Sequence, residues 1–399
     1  MRTLTLPLRT ERLTVRDFVQ TDFHAIHAYS SDPRVTRYLF FGPRDQDNTA
    51  DYLEGLLASQ RERPRTRFEL AVEETASGRV IGACDLSFIE RNVVDLGYML
   101  GTPDWGKGYA TEISLALVDA AIIFADLLLP LEPMGLPFEF LAGEGPHVHH
   151  PVRTAEDVRA LRTDRAADLA YVARAIEKVA AHFRDRLGII GFCGAPFTLA
   201  SYMIEGGGSR NYIYTKQMMY RDTTAWRSLL DKIVVVLTEY CRMQVQAGAD
   251  VIQIFDSWVG SLGFADYKEY AFEVSKRLVR AVQQMGVPVI YFGVETAGLL
   301  GEMAATGADV IGLDWRQPLD EGWRAVGHGH AVQGNLDPIT LFAPVEVLEL
   351  RVKEILRAAN GRPGHIFNLG HGIVPNTPVE NVQAVVRMVK EFRLETANG

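Results

Sequence analysis

The stretch LALVDAAIIFADLLLP, residues 115–130, asks for two structures at once. From its left it ends an amphipathic helix, because Ile113, Ala116, Leu117, Ala120 and Phe124 fall at helical spacing on one face. From its right, AAIIFADLLL is a continuous apolar run closed by Pro130, the pattern of a strand buried on both faces of a parallel sheet. The run also holds an acid, Asp126, where a buried strand should hold none.

Outward from this stretch, the rhythm of the chain differs on its two sides. Before it, RLTVRDF, RFELAVEE, RVIGACDLSFIE and VVDLGYML alternate polar and apolar residues between turn signals, which predicts antiparallel strands. Helical stretches QTDFHAIHAYSSD and DNTADYLEGLLASQRER separate the first strand from the second, and GTPDWGKGYATEISLALVDA runs from a glycine-rich turn into a helix. After it, strand, loop and helix repeat. The strand candidates are AAIIFADLLL, LGIIGFC, DVIQIFD, PVIYFG, DVIGLDW, AVQGNLD and HIFNLG, with long helices such as DYKEYAFEVSKRLVRAVQQM and PVEVLELRVKEILRAA between several of them. Such alternation predicts a parallel sheet, and about 280 residues suit a (β/α)8 barrel better than an open sheet. Seven strands are visible where a closed barrel of this type needs eight.

Composition narrows the function classes. The chain has 399 residues, 47% of them hydrophobic and 23% charged, which describes a soluble globular protein of two or three domains. A net charge of −9 gives no basic footprint for nucleic acid or an anionic membrane. Cys84, Cys193 and Cys241 show neither metal-ligand spacing nor a disulfide framework. No run approaches the length of a membrane helix, and the N-terminus lacks a signal-peptide core, so a cytoplasmic protein is expected.

Polar residues gather where the strands of the second part end, the edge on which barrel active sites are built. They are Asp126, Tyr202 with the glycine run after it, Asp256, Ser257, Asn335, Asp337 and His371. Each also has a plain structural use: an Asp or Ser caps a helix, a Tyr fills a core, a His is hydrogen bonded. Their recurrence along one edge is what points to a site. The cluster of His147, His149 and His150 in GPHVHHP has no Cys or carboxylate in its loop, so no metal site is expected.

Taken in order, DAAIIFADLLLPLEPMG, AGEGP, GFCGAPFTLASYMIEGGGS, DSWVG, QGNLDP and NLGHGIVPNTPVENV resemble the uroporphyrinogen decarboxylases. The resemblance implies a (β/α)8 barrel, usually a homodimer, that converts the four acetate side chains of uroporphyrinogen III to methyls in porphyrin and heme biosynthesis, with no metal or organic cofactor. It also implies that Asp126 is the carboxylate beneath the pyrrole N–H groups, and that Tyr202, Ser257 and His371 hold substrate carboxylates or line the cleft. One departure is severe. The family's opening strand, in essence Arg-Gln-Ala-Gly-Arg-Tyr, supplies arginines that grip substrate carboxylates, and no such motif occurs here.

The first part resembles a second family. LRTERLTVRDFVQTDFHAIHAYSSDPRVTRYL and LGYMLGTPDWGKGYATE are similar to the GNAT acetyltransferases, and Trp105, Gly106, Lys107, Gly108, Tyr109 and Ala110 match that family's loop for the pyrophosphate of acetyl-CoA. Small residues let backbone N–H groups approach an anion there, at the start of a helix. The family continues after this helix with further strands and a helix, whereas this chain crosses into barrel sequence. The expected organisation is a partial α+β acetyltransferase domain over 1–118, then an incomplete TIM barrel over 119–399. The competing readings are an acetyl-CoA-dependent amine N-acetyltransferase carrying a barrel, or an inactive fusion or artefactual chimera.

Overall fold

The computed structural model describes residues 6–36, 43–61, 68–88, 94–105, 107, 109, 120–123, 125–141, 145–183, 187–373, 377–378, 381–382, 384–385, 388–389 and 392–393. Two compact units emerge, one of residues 1–119, 336–360 and 372–399, the other of 120–335 and 361–371.

In the first unit, strands β1 (Leu8–Arg9), β2 (Leu13–Arg16), β3 (Phe68–Glu74), β4 (Arg79–Phe88) and β5 (Val94–Leu100) form one antiparallel sheet in chain order. Alternation drives this pairing, since one face of each strand must leave water. That face meets the helices Phe23–Ser30 and Gln46–Ser59 in a core of Phe18, Ile26, Tyr29, Leu53, Leu56, Ala71, Val80 and Ala83. Asp45 starts the second helix by accepting the Asn48 N–H at 2.7 Å. Gly82 is required where β4 meets β5, because a Cβ there would lie 2.1 Å from the Met99 carbonyl oxygen.

The second unit is built on a parallel sheet. β6 (Ala120–Ile122), β9 (Gly188–Gly194), β10 (Val251–Asp256), β11 (Val289–Gly293), β12 (Val310–Gly312) and β13 (Ala331–Leu336) pair successively in parallel. β14 (His365–Leu369) lies next to β13. The helices Ala170–Phe183, Pro196–Glu205, Thr223–Gln246 and Phe272–Gln283 fall between strands, as the alternation predicts. Between β6 and β9 the chain also forms a hairpin of β7 (Phe138–Leu141) and β8 (Gly145–Val148).

Three expectations change, and a fourth falls outside the described residues. The strand predicted over AAIIFADLLL is only Ala120–Ile122, and residues 127–131 turn through a short 3-10 segment, so Asp126 lies beyond the strand and not inside it. The helix predicted to reach residue 120 falls, over 110–119, outside the described residues. GPHVHHP is not simply a loop, since its first four residues are β8. The single helix expected over 266–285 is two, Phe264–Tyr270 and Phe272–Gln283, with Ala271 leaving the helical region at φ −127°.

The shortness of β6 has a local answer. Ile190 O accepts the Ile123 N–H at 3.3 Å, and by alternation Phe192 turns its backbone to that same side, where β6 has ended. The buried Gln244 takes over: its Oε1 accepts the Phe192 N–H and its Nε2 donates to the Phe192 carbonyl, both at 2.9 Å. A side-chain amide thus replaces the ladder that the strand no longer supplies.

Candidate active site

Asp126 follows β6 by four residues, and its carboxylate is half-buried. Among the described residues its carboxylate has one hydrogen-bond donor, the Leu128 N–H at 2.7 Å. Burial pushes its carboxyl above the usual range, and that single N–H only partly opposes the shift. Tyr202 is not at a strand end but on the helix Pro196–Glu205, which follows β9. Its hydroxyl is pushed up to about 12, first by burial and then by the charge of Asp126, which places the two groups within electrostatic reach.

The Tyr202 ring stacks on Trp258, centroids 3.7 Å apart, and Tyr212 meets the same indole edge-on at 5.2 Å. Trp258 belongs to the turn after β10, where Ser257 is half-buried. That turn is anchored from below by Asp256, which is fully buried. Thr198 Oγ1 donates to Asp256 Oδ1 at 2.7 Å, and the Tyr291 hydroxyl donates to Oδ2 at 2.8 Å. Thr198 Oγ1 in turn accepts the Trp258 N–H at 3.2 Å, so the buried acid and the half-buried turn share one hydroxyl. Burial raises the Asp256 carboxyl to about 6 against the pull of both hydroxyls.

His371 stands two residues past β14, exposed. Its ring lies 6.1 Å from Trp315 and 6.5 Å from Phe292. Asn335 is buried and donates to the carbonyls of Asp314 and Gln317 at 2.9 and 2.7 Å, while Asp337 caps a short 3-10 turn; both have structural work. The geometry therefore brings Tyr202 and, through Trp258, the Ser257 turn into one neighbourhood, and the charge of Asp126 bears on the Tyr202 hydroxyl. His371 belongs to an aromatic group with Trp315 and Phe292. Trp258 and Tyr212 were missed in the sequence, although DSW and RNY beside the glycine run carried an aromatic signal.

The histidines of the hairpin differ from expectation in one respect. His149 Nδ1 lies 3.9 Å from Glu139 Oε1, so a carboxylate from β7 does approach, and the rings of His147 and His149 are 5.8 Å apart. Among the described residues no three potential ligands gather to hold a metal.

In the first unit, Gly106, Gly108 and Ala110 lie outside the described residues. The described members of that loop are engaged with neighbours. Trp105 Nε1 donates to the Leu100 carbonyl at 2.7 Å, and Lys107 Nζ donates to the buried Asp104 at 2.9 Å. Asp104 also takes both Nη atoms of Arg79, at 2.7 and 2.8 Å. The Tyr109 hydroxyl donates to Glu74, and the Arg12 guanidinium lies 4.8 Å from its ring centroid.

No helix among the described residues is long and apolar enough to cross a membrane. Residues 12–137 match the family model of the acetyltransferase (GNAT) domain. Residues 110–392 match that of uroporphyrinogen decarboxylase (URO-D), so the two matches share 110–137, which contains the doubly readable stretch 115–130. Over 70% of its length the chain's fold is similar to that of a methyltransferase from Methanosarcina mazei, with TM-score 0.56, 21% identity and 82% of that chain covered. The uroporphyrinogen decarboxylase of Koribacter versatilis is 60% identical over 276 residues, 69% of this chain and 79% of that protein. That of Solibacter usitatus is 54% identical over 276 residues, covering 80% of its length. With an acetyltransferase-like segment at its N-terminal end, the chain belongs to the uroporphyrinogen decarboxylase family.

Proposed function

We propose that this chain decarboxylates the acetate side chains of uroporphyrinogen III to give coproporphyrinogen III, without a cofactor, on an incomplete (β/α)8 barrel that retains seven strands and begins near residue 119. The observation that carries the reading is the half-buried Asp126 carboxylate beyond β6, whose charge bears on the Tyr202 hydroxyl. Protonation of a pyrrole carbon creates a cation delocalised onto the ring nitrogen. The bond to the carboxylate carbon then breaks, its electron pair neutralises the ring, and CO2 leaves. A second proton completes the methyl group while the ring returns the first. A poorly hydrated carboxylate beneath the pyrrole N–H groups stabilises the cation more than it stabilises the neutral ring. Tyr202, Ser257 and His371 serve as donors to substrate carboxylates. As in the resembled family, the protein works in the cytoplasm and pairs as a homodimer through the barrel.

Anaerobic formation of coproporphyrinogen tests the reading. Asp126→Asn should keep the fold by circular dichroism and lose about 100-fold or more in turnover, the scale of removing one preorganised electrostatic partner. Retention of turnover in this variant would exclude Asp126 from the chemistry. A second reading, acetyl-CoA binding by residues 1–118, is favoured by the GNAT match alone.

A further inference from the structure

The residues assigned to the tetrapyrrole site, Asp126, Tyr202, Ser257 and His371, include no permanent cation, yet the substrate carries eight carboxylates. The described residues supply one from another strand. Arg316 follows β12, and its guanidinium lies over the Trp315 ring at 4.1 Å. Trp315 is the aromatic neighbour of His371. Arg316 Nη1 donates to Asp314 Oδ2 at 2.8 Å, and its backbone N–H donates to Asp314 Oδ1 at 3.1 Å. Nη2 forms an ion pair with Glu295 Oε1 at 3.1 Å.

These two acids are not equivalent. The Asp314 side chain is 1% exposed and accepts the Glu295 N–H at 2.6 Å as well, so it is a fixed anchor for both loops. The Glu295 side chain is 59% exposed, and Arg316 is 37% exposed beside it. An exposed ion pair of this kind is worth little and exchanges readily. Glu295 also reaches toward the rest of the site. A Cβ on Gly260, in the turn after Ser257 and Trp258, would fall 2.6 Å from Glu295 Cβ. The Tyr212 hydroxyl feels both Tyr202 and Glu295. Contacts thus run from Arg316 over Trp315 to His371, and through Glu295 to Gly260 in the turn whose Trp258 stacks on Tyr202.

We propose that Arg316 binds a peripheral carboxylate of the tetrapyrrole, held in place by Asp314 and covered by Glu295 until the substrate carboxylate displaces that side chain. The inference rests on the tetrapyrrole reading of the site. The guanidinium offers N–H groups that Asp314 does not use, and its fork suits a carboxylate. Glu295 is then a competitor built into the free protein.

The test is binding of uroporphyrin III to the full chain, followed by quenching of tryptophan fluorescence, together with KM and kcat for uroporphyrinogen III. Arg316→Gln should weaken uroporphyrin binding about 10-fold or more, and Arg316→Lys should recover part of it. Glu295→Gln, which leaves Asp314 and Arg316 paired, should tighten binding several-fold and lower KM with kcat little changed. Tight binding by the unaltered chain with neither variant shifting it would overturn the role of Arg316 and leave the tetrapyrrole reading standing. Absence of uroporphyrin binding by the unaltered chain would overturn both. If Arg316→Gln fails to fold, Glu295→Gln decides by its sign: unchanged or weakened binding refutes the displacement.

Discussion

Asp126 and Asp256 both lie where a strand ends, and burial raises both carboxyls, yet their surroundings assign them different tasks. Among the described residues Asp126 has one N–H donor, and it is half-buried, which leaves its second oxygen for a ligand. Asp256 is sealed, with a hydroxyl on each oxygen, and so shapes the Ser257–Trp258 turn from beneath. Its carboxyl rises from 3.8 to about 6, so the folded state prefers it protonated. The stabilising contribution is therefore full below 3.8 and is lost as pH rises through about 6, with a ceiling on the order of 3 kcal/mol. Urea midpoints between pH 4 and 7.5 check this. The difference in stability between the natural chain and Asp256→Asn should grow in favour of Asn across that window. A difference curve that stays flat would mean that the acid is ionised at little cost. Because Tyr291 donates to Asp256 and also contacts Ser275 Oγ at 3.2 Å, it can turn to accommodate an amide.

At the scale of elements, the informative place is where β6 stops and Gln244 takes its role beside Phe192. Gln244→Leu would strand a buried N–H and a buried C=O, at about 2–4 kcal/mol for the pair. Chemical denaturation should show this, whereas an exposed glutamine would cost almost nothing. A similar argument applies in the antiparallel sheet: Gly82→Ala forces β4 from β5 and should cost about 1–3 kcal/mol. These two residues also show what was legible beforehand. Periodicity located β2 to β5 and the parallel strands, because burial of one or two faces writes itself into residue type. It failed at 120–129, where an apolar run is equally suited to a strand and to a buried turn, and only pairing with β9 decides where β6 ends. The β7–β8 hairpin was invisible because its strands, FEFL and GPHV, are only four residues each, too short for a periodic signal. Within the site, Asp126 stood out as an acid among aliphatics. Arg316 did not, because an arginine after a strand is ordinary until Trp315 and Asp314 are seen to hold it. The GNAT-like loop reads as a backbone phosphate cradle whose glycines lie outside the described residues, while the side chains of Lys107 and Tyr109 are held by Asp104 and Glu74. Barrel sequence follows it in place of the strands and helix that would complete an acetyltransferase fold. Calorimetry should therefore find acetyl-CoA affinity weaker than micromolar, and micromolar binding abolished by Gly108→Trp would reverse that view.

For the whole molecule, the consequence lies at the two margins of the parallel sheet. In the order β14-β13-β12-β11-β10-β9-β6, the outer strands β6 and β14 each have one neighbour among the described residues. A (β/α)8 barrel closes by pairing its first and last strands, and the strand that would precede β6 is the one that carries the family's arginines. The sequence before β6 is acetyltransferase-like instead. On the proposed reading, that replacement would remove both a strand partner for β6 and the bidentate clamps for an octacarboxylate. If Arg316 binds as proposed, it supplies one guanidinium and not a paired grip, so the substrate should bind with less orientation above Asp126. Misplacement of a reacting group by about 1 Å can cost on the order of 100-fold in rate. Conversion of uroporphyrinogen III should accordingly be about 100-fold or more slower than by the complete Koribacter versatilis relative under the same anaerobic conditions, with KM raised as well as kcat lowered. Raising ionic strength should weaken the remaining charge contacts and slow it further. A rate within a few-fold of that relative would mean that another group has taken over the arginine clamp, and Arg316→Gln measured in the same assay would show whether it is this one.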